Sequence, residues 1–353
     1  MKRPQSLGFE KYSGFYLGAL FILVFSVWQP ELFPTTSTLY SVTADRSISA
    51  IMALALLVPL ICGVYDLSVG ATVNLSTITA VLLINQGYSL PVAIAVSVLL
   101  GTITGALNGF IVVKLKVNSF ITTLGMASVI TAVQVIFTDN QQPLPPINAT
   151  WTGLTQTTVL GFQVVVFYLI AVALVLWWVL SHTPAGRYLY AVGSSPDAAR
   201  LSGVRVDRWT WLSLVGSGTI AGFAGVLYAS LSGPSLSYGS SLLLPAFAAV
   251  FLGSTQITPG RFNVWGTVLA IYVLAIGVKG LQLVTDVQWL DGMFSGVALI
   301  TAVAVAVGRQ RSGDERKRKR LAESDNPPSA PPDRTLDAAP PTTSPSAAAN
   351  ARS

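Results

Sequence analysis

The side chains that most often do chemistry are nearly missing from this sequence. It holds one histidine, His182, and one cysteine, Cys62. Neither a histidine-assisted nucleophile nor a zinc or copper site with several nitrogen or sulfur ligands can be assembled from them. A lone cysteine also closes no intrachain disulfide. None of the lysines follows a glycine, which removes the Gly-Lys pair of a phosphate-binding loop. What remains is a set of polar residues in or between apolar runs. Asp66 stands between two such runs in Gly63-Val64-Tyr65-Asp66-Leu67-Ser68-Val69-Gly70. Two readings of it stay open. The carboxylate caps the following helix, accepting from the amides of Ser68 or Val69 at the positive end of the helix dipole, or it lines a solute or ion pathway at a helix break. Asn74, Asn108 and Gln134 either face the same polar interior or bond a neighbouring helix.

The elements that must position these residues are membrane helices. Of 353 residues, 52% are hydrophobic and only 10% are charged, against about 25% charged in an ordinary soluble domain. With a mean hydropathy of +0.62, the composition excludes a water-soluble globule. In lipid every backbone polar group must be satisfied within its own segment, so each apolar run is predicted to be a helix. Ten runs are expected: 15–33, 47–65, 67–86, 89–113, 120–138, 159–180, 209–231, 241–252, 264–283 and 289–307. The eighth is too short to cross alone. The fold class expected is therefore an all-α polytopic membrane protein of about ten transmembrane helices.

The basic residues orient it. With the N-terminus inside, Lys2, Arg3, Lys11, Lys114, Lys116, Arg187, Arg200, Arg205, Arg208 and Arg261 fall on the cytoplasmic side, and only Arg46 and Lys279 fall outside before the C-terminal tail. Both termini are thus expected in the cytoplasm. The net charge of +6 sits beside the spans and forms no soluble basic face for nucleic acid. No small-residue cleavage pattern follows the first run, so it is expected to be a retained helix. The organisation predicted is a cytoplasmic N-terminus over 1–14, a transmembrane domain over 15–308 with an inner loop at 181–208, and a tail over 309–353. That tail opens with a basic cluster from Arg309 to Arg320 and continues rich in Pro, Ala and Ser, a composition expected to be disordered. The cluster suits anionic lipid headgroups or a simple stop-transfer anchor.

Small residues at four-residue spacing mark close helix packing: Gly101, Gly105 and Gly109; Gly218 and Gly222, with Gly225 near the next step; and Gly292 with Gly296. The inner loop carries a short helix with its ends marked. Ser195 suits the N-cap, Pro196 the first helical position, Asp197 the positive end and Gly203 the stop. A helix of about two turns is marginal alone in water, so it must be held against something. Ala198 and Ala199 permit close approach, and Arg200 with Leu201 offer an ion pair and an apolar anchor. The support is either a partner or the inner face of the same protein.

From Gly186 to Gly203 the loop reads Gly-Arg, then Tyr-Ala-Val-Gly through Gly193, then Ala-Ala-Arg-Leu-Ser-Gly. It resembles the coupling segment of permease subunits of ribose-type ABC sugar importers, relatives of the branched-chain amino-acid permeases. Asp66-Leu67-Ser68-Val69-Gly70, Asn108-Gly109, Phe120-Ile121-Thr122-Thr123-Leu124-Gly125, Leu252-Gly253, Gly260-Arg261 and Gly266-Thr267 are similar to further segments of that family, in family order. The chain departs from the family's pattern at Val64, Tyr65, Ser254, Pro259 and Phe262. The resemblance implies two pseudo-repeated halves and a second permease subunit, identical or not. It implies cytoplasmic ABC ATPases that use ATP and magnesium, and an extracytoplasmic binding protein that delivers a sugar. On it, Gly186, Arg187, Gly193, Ser195, Asp197, Ala198, Ala199, Arg200, Leu201 and Gly203 would couple to the ATPase, while Asp66, Ser68, Asn74, Asn108 and Gln134 are pathway or gate candidates. The chain itself is expected to be a transport subunit and not an enzyme, with no cofactor bound directly. Ion-coupled secondary transport is the competing reading, with Asp66 carrying the coupling ion. A branched-chain amino-acid cargo is the other.

Overall fold

The computed structural model describes residues 9–285 and, beyond them, 287, 289, 292–294, 296–301, 303 and 304. The basic cluster and tail, together with Lys2 and Arg3, lie outside the described residues. In chain order the elements are α1 (Phe9–Trp28), α2 (Thr36–Ile61), α3 (Val69–Asn85), α4 (Leu90–Lys114), α5 (Ser119–Thr138), α6 (Ala149–Gln156), β1 (Thr158–Val159), β2 (Phe162–Gln163), α7 (Val164–His182), α8 (Pro184–Ser194), α9 (Pro196–Leu201), α10 (Val206–Ser232), α11 (Tyr238–Ser241), α12 (Leu243–Gly253) and α13 (Val264–Thr285). Among the described residues six helices are long and apolar enough to cross a membrane: α2, α4, α5, α7, α10 and α13. Shorter apolar helical stretches occupy Tyr12–Trp28, Val69–Asn85, Tyr238–Gly253 and Gly292–Thr301.

The core is built around α2. From Ser47 to Cys62 every one of its residues is buried, because α10, α13, α12 and α7 pack around it. Helices α4, α5 and α7 sit at the periphery and leave large apolar side chains bare, among them Ile103, Leu107, Ile121, Ile136, Val175 and Trp178. Such a belt is stable only where lipid replaces water.

The two longest glycine stripes prove to be the two sides of one contact. A Cβ added at Gly101 would run into the carbonyl of Gly218 and the backbone of Gly222, and one at Gly105 into the carbonyl of Leu214. The backbones of α4 and α10 therefore touch, which only residues without side chains allow. Gly225 plays the same part against Val73 and Ser76 of α3.

Several boundaries differ from the sequence reading: α1 runs Phe9–Trp28 where 15–33 is predicted, and α7 begins at Val164 where 159 is predicted. The second helix starts at Thr36, eleven residues before the apolar run, because Thr35 caps it by accepting from the Thr38 amide at 3.1 Å and the helix continues through Asp45 and Arg46. The connection from 139 to 163, between the fifth and sixth predicted runs, carries a short helix and a hairpin. Asn148 caps α6, Trp151 is buried with its carbonyl accepting from Ser230, and β1 pairs antiparallel with β2. The inner loop holds two helices, since α8 precedes the short capped one.

Candidate functional site

The face that carries α8 and α9 gathers most of the residues singled out in the sequence. In α9 the Ser195 hydroxyl accepts from the Ala198 amide at 3.4 Å, Pro196 occupies the first position, and Asp197 lies in the first turn. The end closes at Gly203, whose φ of +82° a side chain would strain, with its amide donating to Arg200 and the Val204 amide to Ala199. The two alanines part company. Ala199 is buried against the protein, whereas Ala198 is exposed and Leu201 is 91% exposed. An aliphatic side chain so fully bare on an ordered turn contributes nothing to this chain's own core. Asp197 and Arg200 flank it, both exposed, and Arg200 reaches Asp207 at 3.8 Å.

Helix α8 ties α9 to the bundle. Gly186 sits directly on the carbonyl of Leu180, and Gly193 on the carbonyl of Ile61 at the end of α2. Leu189 and Val192 are buried beneath it, while Arg187 is exposed. On its other flank the Tyr190 hydroxyl donates to the carbonyl of Phe262 at 2.6 Å, and the guanidinium of Arg261 lies 3.6 Å over the Tyr190 ring. Burial pushes the Tyr190 phenol above its usual range, partly offset by the Arg261 charge. Asn263 fixes that same turn, donating to the carbonyls of Gly253, Gln256 and Arg261 and accepting from the Gly266 amide. One short helix thus touches both the α2–α3 joint and the α12–α13 connection.

At the joint, residues 62–68, the polar candidates separate into a connected group and two isolated ones. The Asp66 carboxylate accepts from the Ser68 amide at 3.1 Å and the Ser68 hydroxyl at 2.6 Å, and Ser68 in turn accepts from Asn108 of α4 at 2.8 Å. All three are buried. Asp66 accepts from one of the amides expected, but the N-cap position of α3 is held by Ser68, which makes no side-chain cap bond, so Asp66 stands two residues ahead of the cap. Burial holds the Asp66 carboxyl above its usual range, with the Ser68 and Ser217 hydroxyls pulling it back. Asn74 instead fastens α3 to α11, accepting from the Gly239 amide and donating to Ser240. Gln134 donates to the carbonyl of Ala71 at 3.0 Å, so it joins α5 to α3. His182 is exposed, edge-on to Trp177.

Sequence reasoning gave no role to Tyr190, Phe262 or Asn263, nor to Ser119 and Thr123, which satisfy the joint's backbone at the Tyr65 and Leu67 amides. Thr123 and Phe262 stand in or beside motif segments, but nothing in their types names their partners.

Residues 38–303 match the family described as branched-chain amino acid transport system / permease component. The ribose import permease protein RbsC of Escherichia coli strain K12 is 30% identical over 295 residues, 80% of this chain and 89% of that relative. Its namesake in Haemophilus influenzae is 28% identical over the same shares. The autoinducer 2 import system permease protein LsrD of Escherichia coli strain K12 is 29% identical over 297 residues, 82% of this chain and 89% of that protein. No solved structure matches the chain.

Proposed function

The chain belongs to the permease-component family of branched-chain amino acid transport systems, and on that premise we propose that it is the membrane subunit of an ATP-driven, binding-protein-dependent importer that passes a monosaccharide into a bacterial cell. The sugar assignment rests on the ribose and autoinducer-2 permeases among its relatives. Six helices are long and apolar enough to cross. Counting the four shorter apolar stretches with them is compatible with ten crossings, and the Lys and Arg distribution supports a cytoplasmic side for both termini and the α8–α9 face. Two copies, or two related chains, would enclose the pathway, with two ATPase subunits beneath and a solute-binding protein outside. ATP and magnesium act on the ATPase, not here.

The observation that carries the reading is Leu201, bare at the tip of a helix whose ends are both fixed. It offers an ATPase a rigid apolar anchor, flanked by Asp197 and Arg200 for charge pairing. Movement of α9 reaches α8 through the shared Ser195. From α8 it passes by Gly193 to the end of α2 and by Tyr190 to the turn at Arg261 and Phe262. Those contacts suit a lever that rocks the bundle between outward-open and inward-open states. Asp66, Ser68 and Asn108 fasten the joint that the lever pushes. The structural arrangement favours this over ion coupling because the buried carboxylate is engaged by its neighbours.

Reconstitution tests it. Proteoliposomes holding this chain with its ATPase should take up sugar only with ATP and a loaded binding protein. Uptake that runs on an ion gradient without any ATPase would overturn the proposal.

A further inference from the structure

A groove of about 590 Å³ opens where the end of α4 meets the start of α10. Four cationic side chains line it, Lys114, Arg200, Arg205 and Arg208, against one carboxylate, Asp207. That carboxylate is already taken: Lys116 reaches it at 3.4 Å and Arg200 at 3.8 Å. Among the described residues Lys114, Arg205 and Arg208 make no ion pair. The other wall is apolar and exposed. Phe110 is 51% exposed about one turn before the end of α4, and Trp211 stands near the start of α10, its indole N–H donating to the carbonyl of Ala106 of α4 at 3.1 Å.

We propose that this groove binds the phosphate headgroup of an anionic phospholipid, with an acyl chain laid along Phe110 and Trp211. Charge complementarity argues for the phosphate, since three unpaired cations converge on one opening. The placement argues for a lipid as its source. The cations cluster at the helix ends, where headgroups lie, and the aromatic wall continues into the segment that hydrocarbon covers. A soluble phosphate has no use for that wall. The site shares Arg200 with α9 but not the exposed Leu201, and it requires nothing about which solute is carried. Bound there, the lipid would bridge α4 and α10 at the far end of their glycine contact.

The test uses the full chain in detergent, with phosphatidylglycerol or phosphatidylcholine added and retained lipid counted by native mass spectrometry. The wild type should prefer phosphatidylglycerol about tenfold or more, as two to three juxtamembrane cations predict. Lys114→Gln/Arg208→Gln and, separately, Arg205→Gln/Arg208→Gln should lose that preference, while Lys279→Gln, in a different groove beside Asp45, should keep it. Phe110→Ser should weaken retention of the same lipid. Equal loss in Lys279→Gln would mean only diffuse attraction and would overturn the site. Displacement by millimolar inorganic phosphate with no effect of Phe110→Ser would assign it to free phosphate and also overturn it. So would unchanged lipid preference in both double variants together with lost ATPase association, which would make the groove a protein contact.

Discussion

The guanidinium of Arg261 covers the ring of Tyr190 at 3.6 Å while the Tyr190 hydroxyl donates to the next carbonyl, that of Phe262, at 2.6 Å. One side chain of α8 is thereby held on its face and at its tip by the same turn. Tyr190 is half-buried and Arg261 exposed, so each contact is worth about 0.5–1 kcal/mol.

If this clamp carries motion from α8 to the α12–α13 connection, loosening it should uncouple the subunits without dissolving the fold. Tyr190→Phe removes the hydroxyl bond and keeps the ring beneath Arg261. Tyr190→Ala removes both. Sugar uptake per ATP hydrolysed should fall modestly in the first and several-fold in the second, with hydrolysis itself continuing. Paired uptake and phosphate-release measurements in proteoliposomes check this. Equal loss of uptake and hydrolysis would instead mean the ATPase had come away.

Asp66 invites a pH experiment. Its carboxyl is held above the usual range by burial, so the folded state binds its proton more tightly than the unfolded chain does. That contribution to stability is fully present at low pH and fades as pH rises from the ordinary carboxylate range through the raised value. Asp66→Asn keeps an oxygen to accept from the Ser68 amide and has no charge to bury. Its thermal midpoint in detergent should match the wild type near pH 4 and exceed it at pH 8. Asp66→Leu leaves the Ser68 amide without its acceptor and should cost about 1–3 kcal/mol at either pH.

Helix contact can be tested at two helical glycines, one inside a predicted packing stripe and one outside it. A side chain at Gly105 would strike the Leu214 carbonyl, whereas Gly125 has open space around it. Gly105→Val should lower the detergent-resistant fraction on heating, by about 1–3 kcal/mol of overpacking or more. Gly125→Ala should be neutral. Matching losses at both sites would contradict the α4–α10 seam.

The six long apolar helices were legible because an apolar run in lipid has to satisfy its backbone internally, as a helix does. Charges misled at α2, where Asp45 and Arg46 lie within the helix and the capping threonine stands ten residues upstream at Thr35. The short helix α9 was legible from its own ends, Ser195-Pro196 and Gly203, because capping is local chemistry. Its neighbour α8 was not, since Gly186 and Gly193 look like loop residues until Leu180 and Ile61 are packed on them. The clamp on Tyr190 joins positions 72 residues apart in the chain, and no local pattern encodes it. Two glycine stripes announced close packing, but only the structure paired Gly101 with Gly218, and the third, Gly292 with Gly296, meets nothing among the described residues.

The two alanines of α9 give the sharpest separation of docking from folding. Sequence alone puts Ala198, Ala199 and Leu201 together as contact residues, yet Ala199 faces inward and Leu201 outward at 91% exposure. Leu201→Glu removes the apolar anchor and adds a charge where only a partner would feel it. It should leave insertion and thermal stability unchanged and reduce co-purification of the ATPase at least tenfold, the loss expected when a central anchor of about 1.4 kcal/mol or more is deleted. Ala199→Glu forces a carboxylate into the packing beneath α9, so it should destabilise the chain itself by about 1–3 kcal/mol. Any loss of ATPase binding there would follow from a disordered α9. Co-purification and melting curves on both variants check the pair. A Leu201→Glu chain that still holds its ATPase would show that the tip of α9 is not the anchor, whatever the rest of the α8–α9 face contributes.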